Sequence, residues 1–156
     1  MGLLTERKTK KMGMYTELNI GVQIVNDEKV IKKLNYMLNE SDKDIQIEHP
    51  LFDDNRRWRY MLKCDSYYFD SQTDSKLYRD DLYKDDPMYF LNVRCNLKNY
   101  NNEIKLFFDW LCPYIMTDGL LGYMRYEDAE NPTLIYKENG KIVYEPVTRL
   151  NKSKVL

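Results

Sequence analysis

Strict alternation of apolar and polar residues marks two segments of the chain, residues 15–25 and 88–98. In each segment most side chains at every second position are apolar, and most side chains at the positions between are polar. This is the pattern of a β-strand with one buried face and one solvent-facing face. The apolar positions are Leu18, Ile20, Val22, Ile24, Tyr89, Leu91, Val93, Cys95 and Leu97. The pattern predicts two central strands of a sheet.

Each of these strands is followed by apolar residues at helical spacing. Asn26 or Asp27 can cap the first helix, and Asn101 or Asn102 can cap the second, which Pro113 ends. Side chains three and four positions apart form one apolar stripe on each helix. The stripes consist of Val30, Ile31, Leu34, Met37 and Leu38 in the first helix and of Ile104, Phe107, Phe108 and Leu111 in the second.

Weaker alternation predicts the remaining strands. We predict a second strand at residues 58–66 and a fourth strand at residues 120–127. Residues 133–138 and 141–145 flank an Asn-Gly dipeptide, a strong signal for a β-hairpin. Residues 70–86 are so polar and charged that we predict a long surface connection there.

The predicted order of elements is β-α-β-β-α-β followed by a hairpin. This order is typical of an α+β, ferredoxin-like fold, with two helices on one face of an antiparallel sheet. We expect a single domain over residues 15–148. Residues 1–14 and 149–156 are predicted to be basic, flexible extensions. Their basic residues are Arg7, Lys8, Lys10, Lys11, Arg149, Lys152 and Lys154.

Charge and cysteine content narrow the classes of function. The chain has a net charge of −1, and because its two ends are basic, the body between them is acidic. An acidic body disfavours general binding to nucleic-acid phosphates. The three cysteines lack C-x-x-C spacing, which indicates reduced thiols in a cytoplasmic protein. No apolar run is long enough to span a membrane, and the start lacks a secretory signal.

The polar face of the predicted sheet is the place to expect function. Amide side chains both donate and accept hydrogen bonds, and arginine presents a planar fork to phosphate or carboxylate groups. Such a face suits a nucleotide, a nucleic-acid segment or a partner protein, although an ordinary solvated or hairpin-covered face remains an alternative. The candidate binding residues are Asn19, Gln23, Arg59, Lys63, Asn92, Arg94, Asn96 and Lys98.

Sequence motifs do not indicate an enzyme or a cofactor. Phosphate-binding glycine loops, zinc motifs and nucleophile motifs are absent. RNA-recognition domains stack bases on aromatic residues of the central strands, where this chain has asparagine and arginine. A series of aspartates could bind Mg²⁺ or Ca²⁺, but its interleaved basic residues favour a solvated loop. These aspartates are Asp65, Asp70, Asp74, Asp80, Asp81, Asp85 and Asp86.

Three segments carry a resemblance to a family. They are residues 49–70, which include HPLF and RWRYMLKCDSYYFD, residues 89–115, and the motifs GYMRYE and PTLIY between residues 122 and 136. Over these segments the chain resembles an uncharacterised family of small proteins from phages and prophages of low-GC Gram-positive hosts. The resemblance transfers no catalytic residue. It implies a small phage accessory protein in the cytoplasm of an infected bacterium.

That context suggests three hypotheses. The first is a stoichiometric inhibitor of a host defence protein, such as a CRISPR effector nuclease, which binds through the polar sheet face. The second is a sponge in which a homo-oligomer of this chain sequesters a cyclic nucleotide signal. The third is a metal-dependent nuclease or phosphodiesterase that uses the aspartate series.

Overall fold

The computed structural model describes residues 14–66, 69–82 and 85–149. The predicted basic extensions, residues 1–14 and 149–156, lie outside these ranges except for Met14 and Arg149. Met14 is buried, and its backbone N–H donates to the Tyr100 hydroxyl. The regular elements are β1 (Thr16–Ile24), α1 (Glu28–Met37), β2 (Lys76–Asp80), β3 (Met88–Leu97), α2 (Glu103–Leu111), β4 (Gly119–Tyr126), β5 (Thr133–Glu138) and β6 (Lys141–Pro146).

The strands form one antiparallel, six-stranded sheet in the order β2-β3-β1-β4-β5-β6. The predicted α+β class, with an antiparallel sheet and two helices, is therefore confirmed. The alternating strands β1 and β3 are central neighbours, and Leu18 faces Cys95 while Ile20 faces Val93. These four side chains are buried together with the apolar stripes of α1 and α2 in one core cluster.

The helix caps differ in how closely they follow the prediction. The Asp27 carboxylate accepts a hydrogen bond from the Val30 N–H at 3.1 Å, as the sequence suggests for α1. At α2 the cap position belongs to Asn102, which has a left-handed backbone with φ of 60° and makes no side-chain cap. Asn99 supplies the acceptor instead, because its side-chain oxygen binds the Ile104 N–H at 2.9 Å.

Residues 58–66 do not form the predicted second strand. Trp58, Met61 and Leu62 are buried while Tyr60 is 68% exposed, so burial does not alternate along this segment. Its backbone closes local turns, including a Met61 N–H bond to the Trp58 carbonyl at 3.3 Å. The apolar residues are therefore buried by a folded loop. We call residues 58–66 and 69–75 the covering loop.

The second strand is instead β2, inside the segment predicted to be a surface connection. Its residues pair with β3 from Lys76 opposite Asn92 to Asp80 opposite Met88. β2 is an edge strand, and its side chains are exposed except for the half-buried Leu77. Short, charged edge strands are common because they discourage pairing with other chains. The charge that made this segment look like a loop is thus compatible with its place at the edge.

A buried lysine anchors the segment that leads into the covering loop. The Lys33 ammonium group, on α1, donates to the Asp44 carboxylate at 2.8 Å and to the Ile45 carbonyl at 2.7 Å. It also lies 4.5 Å from the centre of the Phe52 ring and 4.3 Å from that of Trp58. A buried charge with such partners fixes its surroundings strongly. The chain is therefore held against α1 just before the covering loop turns toward the sheet.

The described helices are too short or too polar to cross a membrane.

Candidate binding surfaces

The face of the sheet opposite the helices carries several of the predicted binding residues. Asn19 of β1 lies directly opposite Arg94 of β3, and Gly21 lies opposite Asn92. Gln23 is two residues further along the same face, opposite Phe90. The alternation in β1 and β3 thus brings Asn19, Gln23, Asn92 and Arg94 together, because residues opposite each other in a sheet share a face.

One end of this face is covered. Asn96 is fully buried, and its side-chain N–H group lies 3.4 Å from the Asp65 carboxylate and 3.5 Å from the Ser71 carbonyl. The neighbouring Glu17 is only 5% exposed and accepts a hydrogen bond from the Ser71 hydroxyl at 2.7 Å. Asn96 was a candidate contact residue, yet here it serves to hold the covering loop.

Arg125 of β4 completes this covered end. Its Nε atom lies 3.7 Å from the Glu17 carboxylate, and its guanidinium group lies 5.0 Å from the centre of the Phe69 ring. Phe69 belongs to the covering loop and is 8% exposed. Glu17, Asn96 and Arg125 therefore bind the loop to the sheet, and we call these three residues the covered end.

The other end of the face is open and contains a shallow depression of about 440 Å³. Asn19, Asn92 and Arg94 line it together with Asp74, Tyr78 and Tyr123. We call the first three residues the open end.

The backbone of Arg94 at this open end is held firmly. Its N–H donates to the Ser75 hydroxyl at 3.2 Å, and its carbonyl accepts from the Asp74 N–H at 2.8 Å. Arg94 itself is exposed. Within the described ranges, no carboxylate lies within 4.0 Å of its guanidinium group. A fixed backbone with an uncommitted guanidinium group suits the recognition of a carboxylate or a peptide carbonyl.

Exposed apolar side chains surround the open end, and none of them is among the eight candidate binding residues predicted from the sequence. Tyr78 is 45% exposed and faces Phe90, which is 36% exposed. Leu120, Tyr136 and Val143 continue the same face across β4, β5 and β6. Phe90 could have been found from sequence, because it is an apolar residue on the polar side of an alternating strand.

Two glycines line the depression, and only one of them is required by the space around it. A side chain at Gly122 would place its Cβ 2.0 Å from the Asn19 carbonyl oxygen and 2.7 Å from the Ile20 Cα atom. Gly122 also has φ of 154° and sits at a register shift between β4 and β5. A Cβ at Gly21 would only reach 3.6 Å from Asn92, an ordinary contact. The close approach of β1 and β4 therefore depends on Gly122.

Arg59 and Lys98 lie in a separate cleft of about 420 Å³, lined by basic residues. The expectation that Arg59 would lie on a strand beside Arg94 is wrong, because the covering loop is not a strand. Lys63 is exposed on that loop and lines neither surface. We call this second surface the basic cleft, and its lining comprises Arg56, Arg57, Arg59 and Lys98 around Tyr60, Met61, Cys64 and Leu97.

The cations of the basic cleft differ in how firmly they are held. Arg56 donates to the carbonyls of Pro50 and Asn101, both at 2.8 Å. Arg59 pairs with Asp54 at 3.0 Å, and this hydrogen bond is the main reason why its pKa is raised.

Arg57 and Lys98 lie over aromatic rings, those of Tyr100 and Tyr15. Across the described ranges, neither has a carboxylate within 4.0 Å. Their charges are therefore available to a ligand.

The only histidine is bound to the backbone of its own loop, and in the described ranges the aspartate series forms no metal site. The Nδ1 atom of His49 accepts the Leu51 N–H at 3.1 Å, and burial lowers the pKa of the ring. Across residues 14–66, 69–82 and 85–149, no group of three or more His, Cys, Asp or Glu side chains could hold a metal ion. The seven aspartates of the series all fall in these ranges and do not converge.

The three cysteines are free thiols, and only Cys95 is fully buried. Cys95 is buried in the core, and burial raises the pKa of its thiol. Cys64 is half-buried in the basic cleft, where burial raises its pKa while the nearby charges of Lys98 and Arg57 oppose the shift. Cys112 is half-buried elsewhere, beside Gly140.

Comparison with known proteins gave no match to a family model, a curated protein or a solved structure.

Proposed function

We propose that this chain is a non-enzymatic binding protein of phage origin that acts in the host cytoplasm. It inhibits a defence system by binding one of the system's proteins in a fixed stoichiometry, and a CRISPR effector nuclease is the target class that we favour. The sequence resemblance to small phage proteins supports the context. The open end of the sheet supports the mode of action.

One observation carries the proposal: the open end presents an exposed arginine without a carboxylate partner in the described ranges, and two amide side chains lie beside it. Arg94 can bind a carboxylate with two parallel hydrogen bonds, while Asn19 and Asn92 can pair with peptide groups. Arginine and tyrosine are enriched where protein interfaces draw most of their binding energy. Tyr78 and Tyr123 line the same depression.

The extent of the surface favours a protein partner over a small ligand at this place. Apolar side chains continue from the depression across three strands to Val143, which is 37% exposed. A polar centre with apolar surroundings on a broad, regular sheet is suited to a folded partner.

We also propose that the first six elements form a ferredoxin-like arrangement. Read from β4, the order of the first four strands is β4-β1-β3-β2, and each neighbouring pair is antiparallel. Together with the β-α-β-β-α-β order of elements, this supports the assignment. The strands β5 and β6 then extend the sheet beyond β4 and enlarge the face available to a partner.

Titration against a purified CRISPR effector nuclease tests the function. DNA cleavage should fall in proportion to the added protein and stop at a fixed molar ratio, because a stoichiometric inhibitor acts once per target. Inhibition by trace amounts, which destroys the nuclease or its guide, would contradict the proposal. Effectors of several types should be compared, and unchanged cleavage in all of them would remove this target class.

Charge reversal at the open end tests the surface. Arg94→Glu should abolish inhibition without loss of stability, because the side chain is exposed and its backbone contacts remain. Lys29→Glu is the matched control, since Lys29 is an exposed cation on α1, away from the sheet face. Equal inhibition by the two variants would contradict the assignment of the surface.

A further inference from the structure

We infer that the basic cleft is a second binding site, and that its ligand is a free nucleotide, with phosphate groups joined to a flat heterocyclic base. The site lies on residues 56–64 and at the end of β3, apart from the open end of the sheet. The inference therefore goes beyond the proposed function and does not depend on it.

Positive charge is the first argument. Four cationic side chains line a single cleft, in a chain whose net charge is −1. Of these four cations, only Arg59 has a carboxylate of the described ranges within 4.0 Å, that of Asp54. Like charges concentrated in this way repel one another, and a polyanion in the cleft relieves that repulsion.

The arrangement of the cations is the second argument. Arg56 is fixed by two backbone carbonyls and Arg59 by Asp54, so their positions are set before a ligand arrives. Arg57 and Lys98 rest on aromatic rings that leave their N–H groups available. Guanidinium groups bind phosphate oxygens in pairs, and lysine adds a compact point charge. The cleft thus combines fixed and adaptable phosphate ligands.

The apolar part of the lining is the third argument, and it distinguishes a nucleotide from inorganic phosphate. Met61 and Leu97 are buried side chains in the lining of the cleft, and Cys64 is a half-buried one. Tyr60 is 68% exposed at the same cleft, more than Tyr100 at 50% or Tyr78 at 45%. Aromatic and apolar side chains stack on nucleobases in many proteins.

The confinement of the cations favours a free nucleotide over a nucleic-acid strand. The cleft volume of about 420 Å³ is compatible with a small ligand, since such sites measure about 300–1,000 Å³. Single-stranded nucleic acids need a positive groove that follows several successive phosphates. Here the cations are confined to one cleft, so a longer strand would gain little beyond its first nucleotide.

Protection of Cys64 from a thiol reagent offers a direct test with the full chain. Iodoacetamide labelling of Cys64 and Cys112 is followed by mass spectrometry with increasing ATP. We expect ATP to slow the labelling of Cys64, which lines the cleft, and to leave Cys112 unchanged. Equal labelling of Cys64 with and without millimolar ATP would overturn the inference, as would equal protection of both thiols.

Two further probes separate the parts of the ligand. Tripolyphosphate carries the charge without the base, and a short single-stranded oligonucleotide carries many nucleotides. We expect both to protect Cys64 only at higher concentrations of phosphate groups than ATP. Protection by tripolyphosphate that equals that by ATP would overturn the role of the base. Stronger protection by the oligonucleotide would overturn the assignment to a free nucleotide.

Charge reversal identifies the phosphate ligands. Arg57→Glu and Lys98→Glu should each raise the ATP concentration for half-protection by roughly tenfold or more, the usual effect of losing a charge-assisted hydrogen bond. Lys29→Glu should leave it unchanged. Because Arg57 and Lys98 also influence the Cys64 thiol, protection is compared with and without ATP within each variant. If both cleft variants need the same ATP concentration for half-protection as Lys29→Glu, the inference is overturned.

Discussion

The two ends of one sheet face differ in what their polar side chains do. At the covered end Glu17, Asn96 and Arg125 are bound to the covering loop and stabilise the fold. At the open end Asn19, Asn92 and Arg94 follow the same strands at the same spacing and stay accessible. A polar residue on an alternating strand thus becomes structural or functional according to what a distant segment places over it.

The largest expected effect comes from the contact between β1 and β4 that supports both ends. Gly122→Ala should lower the free energy of unfolding by about 3 kcal/mol, because the new Cβ would collide with backbone atoms of β1 and the φ angle is unfavourable. Gly21→Ala is the control, and it should be neutral or stabilise by less than about 1 kcal/mol. Urea unfolding measures both, and similar losses in the two variants would contradict the role of Gly122.

A smaller loss is expected at the covered end. Glu17→Ala removes the acceptor of the Ser71 hydroxyl and the partner of Arg125, which should cost about 2 kcal/mol of unfolding free energy. Asn92→Ala at the open end should change it by less than about 0.5 kcal/mol, since that side chain is exposed. Equal costs at the two ends would break the distinction between them.

The smallest effect concerns pH and lies apart from both ends. Burial lowers the pKa of His49, so the unfolded chain takes up a proton before the folded one as the pH falls. His49 should therefore cost less than about 1 kcal/mol of stability as the pH falls through about 6.5. His49→Asn keeps a side-chain acceptor near the Leu51 N–H and does not titrate. Relative to wild type, the free energy of unfolding of the variant should increase from pH 7.5 to pH 5. A difference that does not change with pH would contradict the predicted effect of His49.

Local pattern predicted the elements whose two faces differ clearly. β1 and β3 have long alternation, and α1 and α2 have complete apolar stripes, so period and burial agree. Residues 58–66 also alternate in part, yet they form a loop in which Trp58, Met61 and Leu62 are buried. Trp58 contacts the Lys33 ammonium group of α1. β2 was missed because an edge strand is stabilised by its backbone pairing with β3 and needs no buried side chains.

Of the candidate site, the sequence predicted only the residues that the direct pairing of β1 with β3 brings together. Asn19, Asn92 and Arg94 come together because their strands pair directly. Asn96 has the same pattern, but its burial depends on Asp65 and Ser71, which are distant in sequence. The basic cleft brings Arg56, Arg57 and Arg59 close to Lys98, which is distant in sequence, and alternation carries no signal for such a contact.

The most direct test of the account measures stability and inhibition on the same two variants, Glu17→Ala and Arg94→Glu. We expect Glu17→Ala to lose unfolding free energy and still inhibit its target nuclease at a fixed ratio below its melting temperature. We expect Arg94→Glu to keep its unfolding free energy and to lose inhibition. The reverse result, or loss of both properties in both variants, would contradict the division of this face into a structural end and a binding end.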